Sequence, residues 1–345
     1  MTVRIAINGF GRIGRNFVRS LIDRQRAGEL NQPVEVVAVN DLGDLETLAH
    51  LLRYDSVHGS PSWTVETNDS GLELDGKKVQ VFSERNPADL PWGELGIDVV
   101  IESTGVFTKR DGASLHLDAG ARRVVISAPS GDCDATFVIG VNDEQYNPET
   151  DLIVSNASCT TNCLAPMVKV LDDAFGLESG MITTVHAYTG DQAIVDAPHR
   201  DLRRARAAAV NVVPTSTGAA RAISLVMPHL AGKLDGMAMR VPIPNGSITD
   251  FVGQVREPVT VEAVNAAFEA AATEGPLAPV LDYSSAPLVS SDIVGTAASC
   301  TFDSGLTMVM PNSGSGGNTV KIAGWYDNEW GYSNRLVDLV ARITV

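Results

Sequence analysis

The sequence predicts an α/β chain in which a doubly wound parallel sheet is followed by an α+β region with a mixed, partly antiparallel sheet. Three observations predict it. Up to Ser155, short β-branched runs alternate with helical segments, the pattern of parallel strands joined by crossover helices. A glycine-rich turn, Gly9-Phe10-Gly11-Arg12-Ile13-Gly14, sits between the first strand and the first helix. Beyond Cys159 the apolar segments lengthen and alternate, which suits antiparallel strands with one buried face.

The elements follow in order. Residues 3–7 form a short apolar strand. Residues 11–26 read as a helix, with Ile13, Phe17, Leu21 and Ile22 on one face. Residues 34–39 are a β-branched run of the buried parallel type. Residues 72–81 alternate around Asp75-Gly76, a hairpin turn signal. Strands are expected at 97–101, 123–127, 137–141 and 152–155. A helix starts near Cys159. Longer strands are expected at 181–187, 236–242, 248–255, 307–310 and 320–326, with a helix at 261–272. The glycine-rich piece 312–318 reads as a hairpin loop. The last segment, 332–343, places Leu336, Val337, Val340 and Ile343 at helical spacing, so it has an apolar face to dock.

Composition narrows the function. A chain of 345 residues suggests about two domains, at roughly 150 residues each. It is 44% hydrophobic with a mean hydropathy of +0.05, enough to bury a core. No apolar run approaches the ~20 residues of a membrane helix. The first residues run straight into a strand, so no signal peptide is expected. With 42 acidic against 26 basic residues, the net charge of −16 disfavours nucleic acid or an anionic membrane as main partner. The cysteines Cys133, Cys159, Cys163 and Cys300 are too scattered for a disulfide scaffold and lack zinc-site spacing. A reduced, cytoplasmic protein without a metal is the expectation.

The glycine string gains meaning from its context of strand, turn and helix, the Rossmann dinucleotide fingerprint. Gly9 permits the tight turn, Gly11 lets backbone approach a pyrophosphate, and Gly14 allows close helix–strand packing. The second strand ends at Asp41, which can accept hydrogen bonds from ribose hydroxyls and repel a 2′-phosphate. It lies further from Gly14 than the usual ~20 residues, with the loop 27–33 taking up the extra length.

In Ser155-Asn156-Ala157-Ser158-Cys159, a strand gives way to a helix with Ser158 as N-cap. A thiol in the first turn feels the positive helix end, which favours thiolate and makes Cys159 the candidate nucleophile. Cys163, one turn on, reads as a buried hydrophobe. His50, His58, His116, His199 and His229 read as surface or packing residues. His186 alone ends an apolar strand facing a loop, the place for a base.

These motifs resemble the phosphorylating glyceraldehyde-3-phosphate dehydrogenase family. The resemblance runs from Asn8-Gly9-Phe10-Gly11-Arg12-Ile13-Gly14-Arg15 to Trp325-Tyr326-Asp327-Asn328-Glu329. It includes the nucleophile motif around Ala157-Ser158-Cys159-Thr160-Thr161-Asn162-Cys163 and the inter-subunit loop at Asp201-Leu202-Arg203-Arg204-Ala205-Arg206. It implies that Cys159 attacks the aldehyde of glyceraldehyde 3-phosphate and that His186 takes the proton. The thioester is then resolved by inorganic phosphate, a step of glycolysis or gluconeogenesis. It further implies phosphate contacts by Thr189, Arg204 and Arg240, and a second anion subsite lined by Ser158, Thr160, Thr217 and Gly218.

For the cofactor, the resemblance implies NAD held by Gly9, Phe10, Gly11, Arg12, Ile13, Gly14, Asp41, Arg85, Thr104, Phe107 and Ser127. Asn328 would hold the nicotinamide carboxamide, with Tyr332 nearby. Asp41-Leu42 and Pro198 look NAD-type, while the small Ala197 leaves room for some NADP use. The implied organisation is an NAD-binding domain at 1–158, a catalytic domain at 159–327 and a C-terminal helix at 328–345 returning to the first domain. The implied assembly is a homotetramer. The alternatives are erythrose-4-phosphate dehydrogenase, which releases a free acid, and a redox-sensing or binding protein on the same fold.

Overall fold

The computed structural model describes residues 2–69, 71–311 and 316–344. Its chain divides into two compact units. Unit 1 is Met1–Phe137, Gln145–Ala157 and Ser333–Val345, and unit 2 is Val138–Glu144 and Ser158–Tyr332. Among the described residues, no helix is long and apolar enough to cross a membrane.

Unit 1 opens with β1 (Val3–Asn8), α1 (Arg12–Arg26), β2 (Val34–Asn40) and α2 (Leu45–Arg53). Three short strands follow, β3 (Val65–Asn68), β4 (Gly71–Leu74) and β5 (Lys77–Phe82). Then come β6 (Val99–Glu102), α3 (Arg110–Asp118), β7 (Arg123–Ile126), β8 (Ala135–Thr136) and β9 (Ile153–Ser155). The strand order is β3-β4-β5-β2-β1-β6-β7-β9-β8. Every pair from β5 to β8 is parallel. Strand order reverses at β1, with β2 on one side and β6 on the other, so the crevice beyond the ends of β1 and β6 is the switch point where such sheets bind ligands.

The elements form for local reasons. Ile5, Ile7, Val99 and Ile101 are fully or almost fully buried on the central strands, with Phe17 and Leu21 of α1 packed in the same core. The expected hairpin at 72–81 is β4–β5, turning through Asp75 and Gly76 at φ 51° and 77°, the geometry of a type I′ turn. The expected strand at 137–141 does not form. Strand β8 stops at Thr136. The Phe137 N–H makes a last bond to the Ser155 carbonyl, and Val138 then turns under the Asn142 side chain. The final helix, α8 (Trp330–Ile343), buries Leu336, Leu339, Val340 and Ile343. From Ser333 on it belongs to unit 1, where Asn334 accepts from Ser20 at 2.9 Å and Asp338 pairs with Arg24 at 2.8 Å.

Unit 2 carries α4 (Cys159–Phe175), β10 (Leu177–Ala187), β11 (Val213–Ser216), α5 (Ala219–Val226), β12 (Leu234–Val241), β13 (Ser247–Val259) and α6 (Val261–Thr273). It continues with β14 (Leu281–Ser284), α7 (Ser290–Ile293), β15 (Cys300–Asp303), β16 (Met308–Met310) and β17 (Gly317–Tyr326). The sheet runs β11-β12-β10-β13-β17-β15-β14, with β16 also on β17. It is mixed: β10 lies parallel to β12 and antiparallel to β13. Leu164, Met167, Val168 and Leu171 of α4 are buried, as are Ile182, Phe251 and Ile322 of the sheet. Phe268 of α6 stacks on Phe302 at 3.8 Å. β16 and β17 pair antiparallel as a hairpin requires, but residues 312–315 of its expected loop lie outside the described residues.

Candidate active site

In unit 1 the glycine string makes a crevice. Gly9 has φ +93°, and a Cβ there would lie 2.6 Å from the Thr104 nitrogen. A Cβ on Gly14 would lie 2.4 Å from the Gly9 carbonyl oxygen. Both positions therefore exclude a side chain, so that loop, β6 tip and α1 can touch. Gly11 is different. It caps α1 with open space where its Cβ would be, leaving the first N–H groups of the helix accessible to an anion.

Asp41 follows β2. One carboxylate oxygen accepts the Phe10 N–H at 2.7 Å and the other accepts the Gly43 N–H at 2.9 Å. Each oxygen keeps a lone pair for a ribose hydroxyl. Asp41 lines a cavity of about 430 Å³ together with Gly9, Gly11, Arg85, Thr104 and Phe107. Asn8, Asn40, Glu84 and Ser103 line it too. Sequence reasoning missed Asn8, Asn40 and Glu84. The available signal was an asparagine ending each of two apolar strands. The donor set fits a dinucleotide: an anion-ready helix start, an acid for the ribose and an apolar wall at Phe107.

Not every expected cofactor residue presents its side chain. Phe10 is fully buried, and its N–H is already given to Asp41. Arg12 is ion-paired to Asp55. Ile13 is half-buried. Ser127 stands just past β7, its N–H bonded to the Glu102 carbonyl at 2.9 Å.

In unit 2 the thiol and the imidazole meet. The Ser158 side chain caps α4 by accepting the Thr161 N–H at 3.1 Å, and Ala157 just before it sits at φ +54°. That left-handed turn is rare for a residue with a Cβ and marks a constrained approach to the helix. Cys159 Sγ lies 3.4 Å from His186 Nε2 at the end of β10. His186 Nδ1 is 2.7 Å from the Ala187 carbonyl, which can only accept, so Nδ1 carries the proton and Nε2 faces the thiol as a base.

Arg240 on β12 pairs in register with His186. Its Nη1 donates to Thr189 Oγ1 at 2.7 Å, while its Nε is buried without a hydrogen-bond partner among the described residues. A guanidinium held this way is ready for an anion. Arg204 is bound to Thr215 at 2.8 Å and ion-paired to Asp191. The Thr160 hydroxyl lies 2.9 Å from Tyr326, which also meets Thr184 at 2.8 Å and sits edge-on to the His186 ring. Sequence reasoning missed Tyr326, although it lies inside the motif that ends at Glu329. Thr217 and Gly218 stand at the head of α5, the Thr217 hydroxyl accepting the Ala219 N–H at 3.2 Å. Asn328 accepts at its oxygen from Ser247 at 2.7 Å, and Ser247 in turn accepts the Ala187 N–H at 3.0 Å. This leaves the Asn328 amide nitrogen as an oriented donor. Tyr332 is buried nearby in the chain.

The surroundings of the pair act against charge on either group. Burial pushes the Cys159 thiol up to about 11, although the Arg240 guanidinium and Thr160 pull the other way. Burial, and then Arg240, push the His186 imidazole down to about 4. Desolvation thus opposes a lone charge on either group. Transfer of the thiol proton to the ring would instead create two charges that attract each other.

Comparison with known proteins places the chain in a family. Residues 3–110 match the family model of the glyceraldehyde 3-phosphate dehydrogenase NAD binding domain, and residues 158–328 match that of the C-terminal domain. The chain is 58% identical over 339 residues to a glyceraldehyde-3-phosphate dehydrogenase of Streptomyces coelicolor, covering 98% of both chains. It is 58% identical over 345 residues to that of Mycobacterium avium, covering 99% of both. It is 55% identical over 343 residues to that of Geobacillus stearothermophilus, covering 99% of this chain and 98% of that one. The chain therefore belongs to the glyceraldehyde-3-phosphate dehydrogenase family.

Proposed function

We propose that the chain oxidises glyceraldehyde 3-phosphate, with inorganic phosphate and NAD, to 1,3-bisphosphoglycerate. The observation that carries this reading is the 3.4 Å approach of Cys159 Sγ to a His186 Nε2 whose other nitrogen is locked as a donor. Neutral Nε2 takes the thiol proton as sulfur adds to the aldehyde carbon, giving a thiohemiacetal. The protonated ring returns that proton to the adduct oxygen, and Nε2 takes it back as the carbon gives up hydride. NAD, when bound, would supply the hydride acceptor needed to oxidise that adduct to a thioester. Phosphate attacks the thioester carbon, the acyl phosphate leaves, and Cys159 regains its proton.

Thr189 and the Arg240 guanidinium would hold one phosphate. Ser158, Thr160, Thr217 and Gly218 would hold the other, with Arg204 steadying the loop. On unit 1, Asp41 and the Gly11 helix start would hold the adenosine and pyrophosphate, with Arg85 at the rim. The domain organisation that goes with this reading is 1–158, 159–327 and 328–345. A cytoplasmic homotetramer is the accompanying assembly. It is supported by the exposed apolar residues Ile194, Leu202, Val210 and Val212, which a monomer would leave in water.

The test is NADH formation from glyceraldehyde 3-phosphate with and without inorganic phosphate. Sustained turnover only with phosphate is expected. Turnover without phosphate would replace the reading by the hydrolytic, acid-releasing one. No NADH from folded protein with reduced Cys159 would replace it by the thiol-sensor reading.

A further inference from the structure

Behind the unit 1 cavity lies a carboxylate with no Lys or Arg paired to it among the described residues. Glu102 is 2% exposed, and its only ion-pair neighbour among the described residues is His116, which is fully buried. The directions of the hydrogen bonds show the state of this pair. Trp92 Nε1 can only donate, and it lies 3.0 Å from His116 Nδ1. Nδ1 therefore accepts, the ring is neutral, and its proton sits on Nε2. That N–H donates to Glu102 Oε2 at 3.0 Å.

The other donors are directed as well. Glu84 gives its N–H to Asn40 Oδ1 at 2.7 Å, and Asn40 Nδ2 returns to the Glu84 carbonyl at 2.9 Å. These backbone groups fix which way the Asn40 amide faces. Asn40 Nδ2 then donates to Asn8 Oδ1 at 2.7 Å, so Asn8 Nδ2 must point to Glu102 Oε2, at 2.6 Å. Glu102 Oε1 accepts the Thr104 N–H at 2.9 Å and the Thr104 hydroxyl. Four donors from three residues converge on one buried anion. Asn8, Asn40 and Thr104 line the cavity, and Glu102 does not.

We propose that Glu102, backed by His116 and Trp92, is a positioning residue for dinucleotide binding. Its carboxylate holds the Asn8 side chain and the Thr104 turn in place, and with them that part of the cavity wall. This inference rests on the reading of unit 1 as the dinucleotide site. A carboxamide of the same shape cannot do the same work. It would turn an N–H toward either the Thr104 N–H or the Asn8 amide, and fixed donors would then face each other.

The experiment is calorimetric titration of NAD into the wild type and three variants, with steady-state kinetics beside it. Glu102→Gln is expected to raise the Kd for NAD about tenfold or more, the effect of about 1.4 kcal/mol from one frustrated buried pair. Its KM for NAD rises in step. Its kcat at saturating NAD and its Cys159 alkylation rate without NAD stay within about twofold of wild type, by the same locality. Asn8→Asp alone also weakens binding, because two carboxylates then meet at 2.6 Å. The double variant N8D/E102Q exchanges amide and carboxylate. The new Asp accepts from the new Gln and from Asn40, and the His116 N–H, 3.0 Å from the new amide nitrogen, has that Asp oxygen at 3.4 Å as its remaining acceptor. The double variant is expected to regain part of the lost affinity.

A Kd for E102Q equal to wild type would overturn the inference. So would a double variant no tighter than E102Q, or a loss of kcat and thiol reactivity parallel to the loss of affinity. If E102Q does not fold, Trp92→Phe unlocks the His116 tautomer instead. A Kd raised severalfold at constant kcat then supports the inference, and an unchanged Kd overturns it. Wild type that binds no NAD would overturn the dinucleotide reading itself, a result distinct from all of these.

Discussion

His186 and Arg240 face each other in register across the parallel strands β10 and β12. A neutral base and a permanent cation are thus held side by side by backbone hydrogen bonds. The guanidinium disfavours a proton on His186 and favours charge on Cys159. One strand pairing therefore biases both members of the reacting pair toward proton acceptance by the ring only when the sulfur becomes charged.

Removing the base exposes the desolvated thiol. For His186→Asn, kcat is expected to fall about 10²–10⁴-fold, the usual loss for a general base. The alkylation rate of Cys159 near neutral pH should fall as well, because no ring nitrogen then takes the thiol proton. Iodoacetamide kinetics between pH 5 and 11 on both proteins check this. Identical rates across that range would mean that His186 plays no part in activating sulfur.

Removing the cation weakens anion binding first. Arg240→Ala is expected to raise KM for the aldehyde phosphate and for inorganic phosphate about 10–100-fold, the scale of a charge-assisted hydrogen bond. The His186 titration should move upward, since Arg240 is one cause of its depression. Histidine NMR in wild type and variant reads the shift. A KM unchanged for both anions would remove Arg240 from the phosphate sites.

The glycines should separate by role. Gly9→Ala and Gly14→Ala each force a Cβ to 2.6 Å or less from backbone atoms, so a loss of about 1–3 kcal/mol in stability is expected from overpacking. Gly11→Ala meets nothing within 4 Å and should fold with a near-normal melting temperature while binding NAD more weakly. Thermal denaturation beside NAD titration distinguishes the two patterns. A Gly9→Ala protein as stable as wild type would show that the loop can yield.

Asp55 should make stability depend on acid. Burial would raise its pKa, but the His58 N–H, the Arg12 guanidinium and the Val57 N–H outweigh burial and hold it at about 2. The folded carboxylate is thus harder to protonate than the unfolded one at 3.8. Its contribution is fully present above pH 3.8 and is lost as pH falls through that value toward 2. Asp55→Asn should be less stable than wild type at pH 6, with the gap closing near pH 2. Urea midpoints across that range test it, and a gap independent of pH would contradict it.

What the sequence made legible was mostly local. Strand, glycines, helix and Asp41 lie close along the chain, and their spacing carries their chemistry. Cys159 and His186 were legible because each sits where a regular element ends. Partnerships at long range were not. Nothing near Asn8 says that its amide meets Glu102, and nothing near Tyr326 says that its hydroxyl meets Thr160 and Thr184. Strands as short as β3, β11 and β14 have too few residues to show alternation. Residues 137–141 are apolar enough for a strand, but Asn142 captures the Val138 N–H and ends the ladder.

Asp41 shows how hard this chain would be to reprogramme for a phosphorylated adenosine. Its two oxygens already anchor the amides of Phe10 and Gly43. Replacing the acid to admit a 2′-phosphate would strand both donors and loosen the turn that carries Gly9 and Gly11. An evolutionary or engineered change of cofactor must therefore supply new acceptors for those amides in the same step. Any selectivity that Asp41 exerts would thus be tied to the architecture of the loop, since the same carboxylate holds both amides.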